Sequence, residues 1–309
     1  MGVTPGEIVV LCGGTGGAKL ARGFAGALGP ERLAAVVNTG DDIEIYGAHV
    51  SPDPDLVSFW LADLIDERGW GLRGDSFAVM DALRELGTEV WFNLGDRDLA
   101  WCARRASLLA DGYSPTEALA LLNAAIGVRS KVLPMSDDPV RTWVRTPSGG
   151  WRAFQQFMIQ DRAEGPVEEL EFRGAGSATP TRQVLDALAG AEAVVIGPSN
   201  PLASIAPILA VPGIREAIAG SPAPVVAVSP IVGGQVLKGP TAAFMAYAGE
   251  ELSAAGVASF YGELLDGIVA DEEVPGLPTL VTDTRMDDPA AREGLARRTL
   301  GFASGLGSR

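Results

Sequence analysis

The fold is decided by residues 7–37, EIVVLCGGTGGAKLARGFAGALGPERLAAVV. Residues 7–12 form a mainly apolar, β-branched run that stops at a glycine-rich stretch, which is the pattern of a buried strand. A helical pattern follows as far as Leu28, and residues 33–37 are a second apolar run. A strand, a glycine loop, a helix and another strand in this order predict the start of a parallel α/β sheet.

The same alternation of strand and helix returns late in the chain. Four short apolar runs are predicted as further strands, at residues 193–196, 224–228, 268–270 and 279–281. These runs are continuous rather than alternating in polarity, which suits strands that are covered by helices on both faces. We therefore expect them to extend the sheet that begins at Glu7.

The middle of the chain has a different pattern. Residues 56–126 have helical periodicity, and residues 142–159 contain the turn-forming stretch PSGG at 147–150, which predicts a β-hairpin with arms 142–146 and 151–159. We interpret the region as an insertion into one sheet. The predicted α/β organisation is a core in two parts with a mainly helical, hairpin-carrying lobe between them: 1–55, then 56–175 as the lobe, then 176–309.

Composition excludes several classes of protein. The chain has 309 residues and a formal net charge of −15, which disfavours nucleic acid as a partner because its binding depends on clustered Lys and Arg. His49 is the single histidine and there are two cysteines, so a two-histidine site and a disulfide framework are both excluded. No apolar run approaches the roughly 18 residues of a membrane span, and no signal peptide is recognisable, so we expect a cytoplasmic protein without membrane contact.

The glycine loop predicts an anion site. Glycines let a backbone approach a ligand closely, and the N–H groups of the first helical turn favour negative charge. The loop is not a Walker A motif and lacks the third glycine of the dinucleotide fingerprint. A tight strand-to-helix turn is the alternative. The predicted diphosphate-binding residues are Gly13, Gly14, Thr15, Gly16, Gly17 and Lys19.

Acidic residues follow the second strand in two groups. Asp41 and Asp42 end the stretch NTGDD at 38–42, and Asp53 and Asp55 belong to SPDPD at 51–55. Carboxylates beside a phosphate loop suit Mg²⁺, which takes one or two carboxylates together with phosphate oxygens. An ordinary polar turn for the first group, and a helix cap for one acid of the second, are the alternatives.

Two further stretches carry polar groups in loops. In GDRD at 95–98, the planar guanidinium group of Arg97 suits a phosphate or a planar heterocycle. The alternative is a surface turn that is held by ion pairs. In GPSNP at 197–201, Ser199 and Asn200 follow a predicted strand. Their position places them at the carboxyl edge of the sheet, where open α/β sheets bind ligands.

This ordered series of motifs resembles the CofD/FbiA family, the 2-phospho-L-lactate transferase group of coenzyme F420 biosynthesis. The resemblance covers nearly the whole chain. It also includes residues 133–139, LPMSDDP, and 228–230, VSP. It implies a Rossmann-like parallel sheet with an inserted lobe, and a homodimer.

The resemblance also implies a reaction. The hydroxyl of the deazaflavin FO (7,8-didemethyl-8-hydroxy-5-deazariboflavin) attacks a GDP-linked phospho-acid, and GMP leaves with the help of Mg²⁺. The product is F420-0 or its dehydro form, and the acid is 2-phospho-L-lactate, phosphoenolpyruvate or 3-phosphoglycerate. Family matches place Asp55 and Arg97 at FO, and Ser199 and Asn200 at the guanosine.

The catalytic carboxylates are chosen from three candidates. Asp42, Asp53 and Asp55 are each placed to hold Mg²⁺ or to orient the attacking hydroxyl. We select Asp42 and Asp55 as the catalytic and metal-binding pair, with Asp53 beside FO. Three tryptophans of the insertion are candidates for a wall against the tricyclic ring, although core positions are the alternative for each: Trp60, Trp91 and Trp101.

A second function class shares the same general features. Gluconeogenesis-factor proteins have a CofD-like fold and a similar glycine loop, and are regarded as regulators that bind nucleotide sugars. The SPDPD and GDRD stretches favour the transferase, because a deazaflavin site explains them and a nucleotide-sugar sensor does not require them.

Overall fold

The computed structural model describes residues 6–147, 149–236 and 239–307, in which it has fourteen strands and twelve α-helices. The strands are β1 (Glu7–Cys12), β2 (Leu33–Val37), β3 (Ile43–Ile45), β4 (Ala48–Val50), β5 (Lys131–Pro134), β6 (Arg141–Thr146), β7 (Gly150–Ala153), β8 (Glu169–Arg173), β9 (Ala191–Ile196), β10 (Val225–Val228), β11 (Ile231–Val232), β12 (Gln235–Val236), β13 (Gly267–Ala270) and β14 (Thr279–Val281). The helices are α1 (Gly14–Leu28), α2 (Pro52–Leu61), α3 (Ala78–Glu85), α4 (Asp96–Ala110), α5 (Pro115–Ala125), α6 (Phe154–Ile159), α7 (Arg182–Ala189), α8 (Ala206–Leu209), α9 (Ile214–Ala219), α10 (Thr241–Ala248), α11 (Ala254–Tyr261) and α12 (Pro289–Leu306).

Seven strands form one sheet in the order β14-β13-β10-β9-β1-β2-β5. Every pairing in it is parallel, and β1 lies between β2 and β9. The chain moves outward from β1 in one direction through β2 and β5, and in the other direction from β9 to β14. This reversal creates a crevice at the carboxyl ends of β1 and β9, where such sheets bind ligands. The predicted Rossmann-like α/β sheet is confirmed.

Side chains of β1 alternate between two apolar layers, as a strand's period of two requires. Ile8 and Val10 face the layer that includes α1 and α12, whereas Val9 and Leu11 face the layer that includes α7. All four are fully buried. The continuous apolar run therefore reflects helices on both faces of the sheet, as the sequence predicted.

The hairpin prediction is confirmed for part of its length. β6 pairs antiparallel with β7, and β8 adds a third strand on the other side of β6. Ser148 of the predicted turn lies outside the described residues. Residues 154–159, predicted as part of the second arm, form α6 instead, so that part of the prediction is wrong. The reason is a helical spacing: Phe154 and Phe157 both pack against Phe244, with ring centres 6.3 and 6.1 Å apart.

One strand of the main sheet comes from within the range predicted as an insertion. β5 follows the helices α2 to α5 and pairs with β2 at the edge of the sheet. It has four residues and ends at Pro134, so its sequence signal is weak. The division at residues 55 and 175 stays a prediction, with the helical lobe before β5 and the three-stranded sheet after it. None of the helices in the described ranges has the length and apolar character that crossing a membrane requires.

Candidate active site

A cavity of about 920 Å³ lies at the carboxyl edge of the sheet, over the crevice between β1 and β9. Most of the residues predicted from the sequence line it: Gly13, Gly14, Thr15, Gly16, Lys19, Asp53, Asp55, Ser199 and Asn200. Gly17, Asp42 and Arg97 lie outside its lining. A smaller cavity of about 470 Å³ beside β5 has none of the predicted site residues in its wall.

The glycine loop is fastened to the segment that follows β9. Ser199 Oγ donates to the Gly13 carbonyl over 2.7 Å and accepts from the Gly13 N–H at 3.2 Å. A Cβ atom on Gly16 would stand 2.1 Å from the Pro198 carbonyl oxygen. Gly14 has a φ of +60°, in the left-handed region that favours glycine. The glycines therefore allow close approach of two loops, and Ser199 holds them together.

The start of α1 is arranged to receive an anion. Thr15 and Gly16 line the cavity within the first turn of the helix, where N–H groups have no intrahelical partner and the helix dipole is positive. That turn contains no acidic residue. Lys19 also lines the cavity, and its ammonium lies 5.8 Å from the centre of the Trp60 ring. A diphosphate fits these groups.

Two buried carboxylates share one amide beside the glycine loop. Asn38 Nδ2 donates to Asp41 Oδ1 at 3.1 Å and to Asp53 Oδ2 at 2.9 Å. The Gly14 N–H donates to Asp53 Oδ1 over 2.6 Å, and Gln155 Nε2 donates to Asp41 Oδ2 over 3.0 Å. Asp41 and Asp53 are only 5% and 6% exposed. The two acids come from different loops and meet at the cavity wall.

The electrostatics of this pair favour a cation. Burial raises the pKa of Asp53 to about 6, opposed by its hydrogen bonds from Asn38 and Gly14. Burial raises the pKa of Asp41 as well, and the charges of Asp53 and Asp42 add to that rise. In the described chain, the hydrogen bonds to the two carboxylates come from neutral amides. Oxygen ligands of this kind, next to a phosphate-binding helix end, fit Mg²⁺.

The carboxylates of Asp42 and Asp55, predicted as the catalytic and metal-binding pair, share no hydrogen-bonding group in the described chain. Asp42 accepts from Ser51 Oγ over 2.7 Å and lies 3.2 Å from His49 Nε2. Asp55 is bound to residues of α4 instead. This geometry gives the two acids no support as a shared metal site, and the acid that accompanies Asp53 at the cavity is Asp41.

Asp55 is the centre of a buried ion pair. Both terminal nitrogens of Arg105 contact its carboxylate, with Nη1 3.0 Å from Oδ2. Trp101 Nε1 donates to Asp55 Oδ1 over 2.7 Å. Asp55 and Arg105 are 4% and 3% exposed. A bidentate contact of this kind fixes the position of the carboxylate as well as neutralising its charge. The Asp55 carboxylate therefore has a fixed orientation where it lines the cavity.

Hydrogen bonds around the GDRD stretch join the start of α4 to the start of α3. Asp96 accepts from the backbone N–H groups of Ala78 and Val79 at the start of α3, at 3.1 and 2.9 Å. Asp75 accepts in return from the N–H groups of Arg97 and Asp98 at the start of α4. The Arg97 side chain is exposed and donates to the Arg73 carbonyl at 3.2 Å. Its predicted contact with FO therefore stays a prediction.

Asp98 was not among the predicted site residues, yet it lines the cavity. Cys102 Sγ lies 4.0 Å from Asp98 Oδ1 and 3.9 Å from Asp55 Oδ2. Burial raises the pKa of Asp98 to about 7, and the nearby carboxylates of Asp55 and Asp75 act in the same direction. A signal for this residue is the helical spacing of 98, 101, 102 and 105, which puts all four on one face of α4.

Aromatic and aliphatic side chains form much of the remaining wall. Trp91 lines the cavity as predicted, whereas Trp60 and Trp101 do not. Trp101 packs edge-on against Phe59 at 5.2 Å between ring centres. Trp70 was missed, although it lines the cavity and is 48% exposed. Further apolar lining residues are Leu56, Phe59, Phe92, Leu94, Phe154, Met158, Ile159 and Met286.

Asn200 caps the helical turn at Pro201–Ile205. Its Oδ1 accepts from the backbone N–H groups of Leu202 and Ala203, both at 3.0 Å. Its Nδ2 has no hydrogen-bond partner within the described part of the chain. Two other segments also reach the cavity, residues 229–241 in part and 284–287. The VSP motif at 228–230 indicated the start of the first segment, and no motif in the sequence indicated the second.

Comparisons with known proteins identify the family of the chain. The family model described as 2-phospho-L-lactate transferase CofD matches residues 8–291. A 2-phospho-L-lactate transferase of Methanosarcina mazei is 41% identical over 266 residues, which are 86% of this chain and 87% of the relative. A phosphoenolpyruvate transferase of Kitasatospora aureofaciens is 40% identical over 313 residues, covering 96% of this chain and 98% of the relative.

Solved structures support the fold. A UPF0052-family protein from Bacillus halodurans superimposes with a TM-score of 0.56 at 19% identity, covering 95% of this chain and 91% of that one. At this identity the similarity bears on the architecture alone. The family model, in contrast, spans most of the sequence, including every motif around the cavity. The chain therefore belongs to the CofD family of 2-phospho-L-lactate transferases.

Proposed function

We propose that the protein transfers a phosphorylated three-carbon acid from its GDP-activated diphosphate to the deazaflavin alcohol FO. The products are GMP and coenzyme F420-0 or its dehydro form. One observation carries this proposal: a single cavity joins an anion-binding helix end to an acidic, aromatic-walled region. The names of the relatives, 2-phospho-L-lactate transferase and phosphoenolpyruvate transferase, support the same class of reaction.

The proposed reaction is a substitution at phosphorus. The oxygen of the primary ribityl hydroxyl of FO forms a bond to the distal phosphorus of the donor. The bond from that phosphorus to the bridging oxygen breaks, GMP leaves with the electron pair, and the proton of the hydroxyl passes to water. Such a transfer depends on positioning and charge neutralisation more than on an elaborate nucleophile. A chain with one histidine is therefore adequate for it.

The donor is held by the first turn of α1. The N–H groups of Thr15 and Gly16 and the ammonium of Lys19 offset the negative charge of the diphosphate. Ser199 keeps the loop in place through both of its bonds to Gly13. Asn200 Nδ2, which is buried without a partner in the described residues, supplies a donor on the side we assign to the guanosine.

Asp41 and Asp53 are the residues that we propose to hold Mg²⁺. They are the acids that meet at the cavity next to the glycine loop, whereas Asp42 and Asp55 are engaged with Ser51 and Arg105. Bound there, Mg²⁺ would neutralise charge on the diphosphate oxygens. Asn38 orients both carboxylates through one amide nitrogen, and Gln155 fixes the second oxygen of Asp41.

The tricyclic ring of FO fits the apolar wall. Trp91 and Trp70 line this part of the cavity and supply broad flat faces for stacking. The guanidinium carbon Cζ of Arg68 lies 4.4 Å from the centre of the Trp70 ring. The contact holds a half-exposed tryptophan at the mouth of the cavity.

The activated acid stays open among 2-phospho-L-lactate, phosphoenolpyruvate and 3-phosphoglycerate. The test is incubation with FO, GTP, Mg²⁺, a guanylyltransferase and each acid in turn, with mass spectrometry of the product. We expect one acid to give an FO adduct of the matching mass: that of F420-0 for 2-phospho-L-lactate, of its dehydro form for phosphoenolpyruvate, or of the analogue with one more oxygen for 3-phosphoglycerate. If FO fluorescence is unchanged on mixing while a UDP-sugar raises the melting temperature, the transferase proposal is contradicted and a sensor is favoured.

The cytoplasmic location and the homodimer are further parts of the proposal. The family resemblance implies the homodimer, and substrates that are small and soluble suit the cytoplasmic location. Size-exclusion chromatography with light scattering would test the dimer, for which we expect twice the chain mass of 32.0 kDa.

A further inference from the structure

Three consecutive side chains at the start of α4 point in different directions. Successive residues of a helix are rotated by about 100°. Asp96 is turned to the start of α3, and Arg97 is exposed against the Arg73 carbonyl. Asp98 is turned to the cavity. Of this turn, Asp98 is therefore the residue that a bound molecule meets.

Asp98 and Asp55 lie side by side but differ in what already binds them. The Asp55 carboxylate is held by both terminal nitrogens of Arg105 and by Trp101 Nε1. Among the described residues, the side-chain donor that reaches Asp98 is the Cys102 thiol, at 4.0 Å. A thiol is a weak donor. Asp98 thus keeps acceptor positions for a ligand, and Asp55 has few left.

The surroundings select the kind of ligand group that Asp98 binds. Leu94, Phe92 and Trp91 line the adjacent wall, and low polarity strengthens a hydrogen bond made there. Arg105 balances one of the two carboxylates, so a phosphate or carboxylate placed beside Asp98 would be repelled. A neutral group with an O–H or N–H donor would be attracted. Charge therefore separates the two substrates, with the anionic donor at α1 and the neutral alcohol here.

We propose that Asp98 is a specificity-determining residue that binds the alcohol substrate by accepting a hydrogen bond from one of its O–H or N–H groups. The inference rests on the proposed function, because the alcohol is FO. It adds that Asp98 accepts from the ligand directly, while Asp55 and Arg105 hold the neighbouring charge in place.

The test is a fluorescence titration of FO into the wild type, Asp98→Asn and Asp98→Ala at a pH well above the raised pKa of Asp98, where its carboxylate is charged, with a parallel titration of GDP and Mg²⁺. Loss of a hydrogen bond to a charged group should raise the Kd of FO about tenfold or more in Asp98→Ala. Asp98→Asn keeps an acceptor oxygen and should lie between the other two. The Kd of GDP should stay within about twofold in each variant, since the hydrogen bonds of Asp98 in the described chain are with Asp75 and Cys102 and not with the glycine loop.

The control is Arg104→Ala, an exposed position on the same helix. It should leave both constants unchanged. An unchanged Kd for FO in a folded Asp98→Ala would overturn the inference and leave the transferase proposal standing. If Asp98→Ala does not fold, Asp98→Asn decides. Absence of FO binding to the wild type would instead contradict the proposed function, and the inference with it.

Discussion

The backbone N–H of Gly14 donates a 2.6 Å hydrogen bond to Asp53 Oδ1, which joins the first residue of α1 to the first turn of α2. The bond sets an acid against the helix end where the diphosphate is proposed to bind. It also leaves the other oxygen of Asp53 facing Asn38 and, through it, Asp41. The anion site and the proposed metal site are therefore built from one set of contacts.

Replacing either proposed metal ligand should strongly reduce turnover. Asp41→Asn and Asp53→Asn each remove a negative charge while keeping the shape of the side chain. We expect kcat/KM to fall by about 10²-fold or more, and excess EDTA should stop the wild type. The measurement is product formation as a function of Mg²⁺ concentration.

Asp42→Asn is the informative comparison for that experiment. Asp42 is bound to Ser51 and His49 and lies outside the cavity lining. Its replacement should change the Mg²⁺ concentration for half-maximal activity less than Asp41→Asn does. A larger effect at Asp42 would show that the metal is held as the sequence predicted, and not by the pair in the structure.

Gly16→Ala should destabilise the protein. The added Cβ would stand 2.1 Å from the Pro198 carbonyl oxygen, so α1 or the loop after β9 must shift. We expect the free energy of unfolding in urea to drop by about 1–3 kcal/mol. Gly301→Ala is the matched control, because its Cβ meets nothing within 4 Å in α12, and it should be neutral or stabilising. Equal effects at both sites would refute the close-approach explanation.

Replacing Arg105 alone should lower the free energy of unfolding more than replacing both Arg105 and Asp55. Arg105→Met leaves the Asp55 carboxylate buried without its cation, and we expect a loss of about 3–5 kcal/mol in the free energy of unfolding. Adding Asp55→Asn should recover part of that loss, since the uncompensated charge is then gone. Chemical denaturation of the two single variants and the double variant measures this coupling. Simple additivity would contradict it.

Stability of the metal-free protein should fall as pH rises from about 4 to about 7. The pKa of Asp98 is raised from 3.8 to about 7 by burial and by neighbouring carboxylates. Within that window the folded protein keeps a proton that the unfolded chain has lost, so raising the pH favours unfolding. Asp53, with a pKa raised to about 6, acts in the same direction.

Asp98→Asn removes the larger of these two contributions. Its stability should decline less steeply over the same pH range, as followed by thermal unfolding at several pH values. The exposed Asp111→Asn serves as the control and should keep the wild-type slope. A slope in Asp98→Asn as steep as in the wild type would mean that Asp98 does not hold its proton in the folded state.

Most of the sheet was predictable because most of its strands are short apolar runs that can be recognised in the local sequence. Residues 7–37 alone define a strand, a helix and a parallel strand, and the structure has all three. β5 was not predictable in the same way, since four residues ending in Pro134 acquire their role only by pairing with β2. Residues 154–159 became a helix because Phe154 and Phe157 share a partner, Phe244, which lies far away in the sequence.

The site was predictable as a set of loops but not as individual carboxylates. Asp41 and Asp42 are adjacent, and only the turn made by Asn38, whose Oδ1 accepts from the Gly40 N–H at 2.7 Å, directs Asp41 to the cavity. Asp98 and Arg97 are likewise adjacent, and helix direction decides between them. Arg105 was missed because a buried arginine is recognisable only from its partner, Asp55.

The central claim is that one cavity holds an anionic nucleotide and FO side by side. The most direct measurement is a fluorescence titration of FO into the protein with and without saturating GDP and Mg²⁺. The structure predicts that FO binds in both cases, with GDP leaving its affinity unchanged or improving it. Displacement of FO by GDP, or failure of FO to bind the GDP-loaded protein, would contradict the claim.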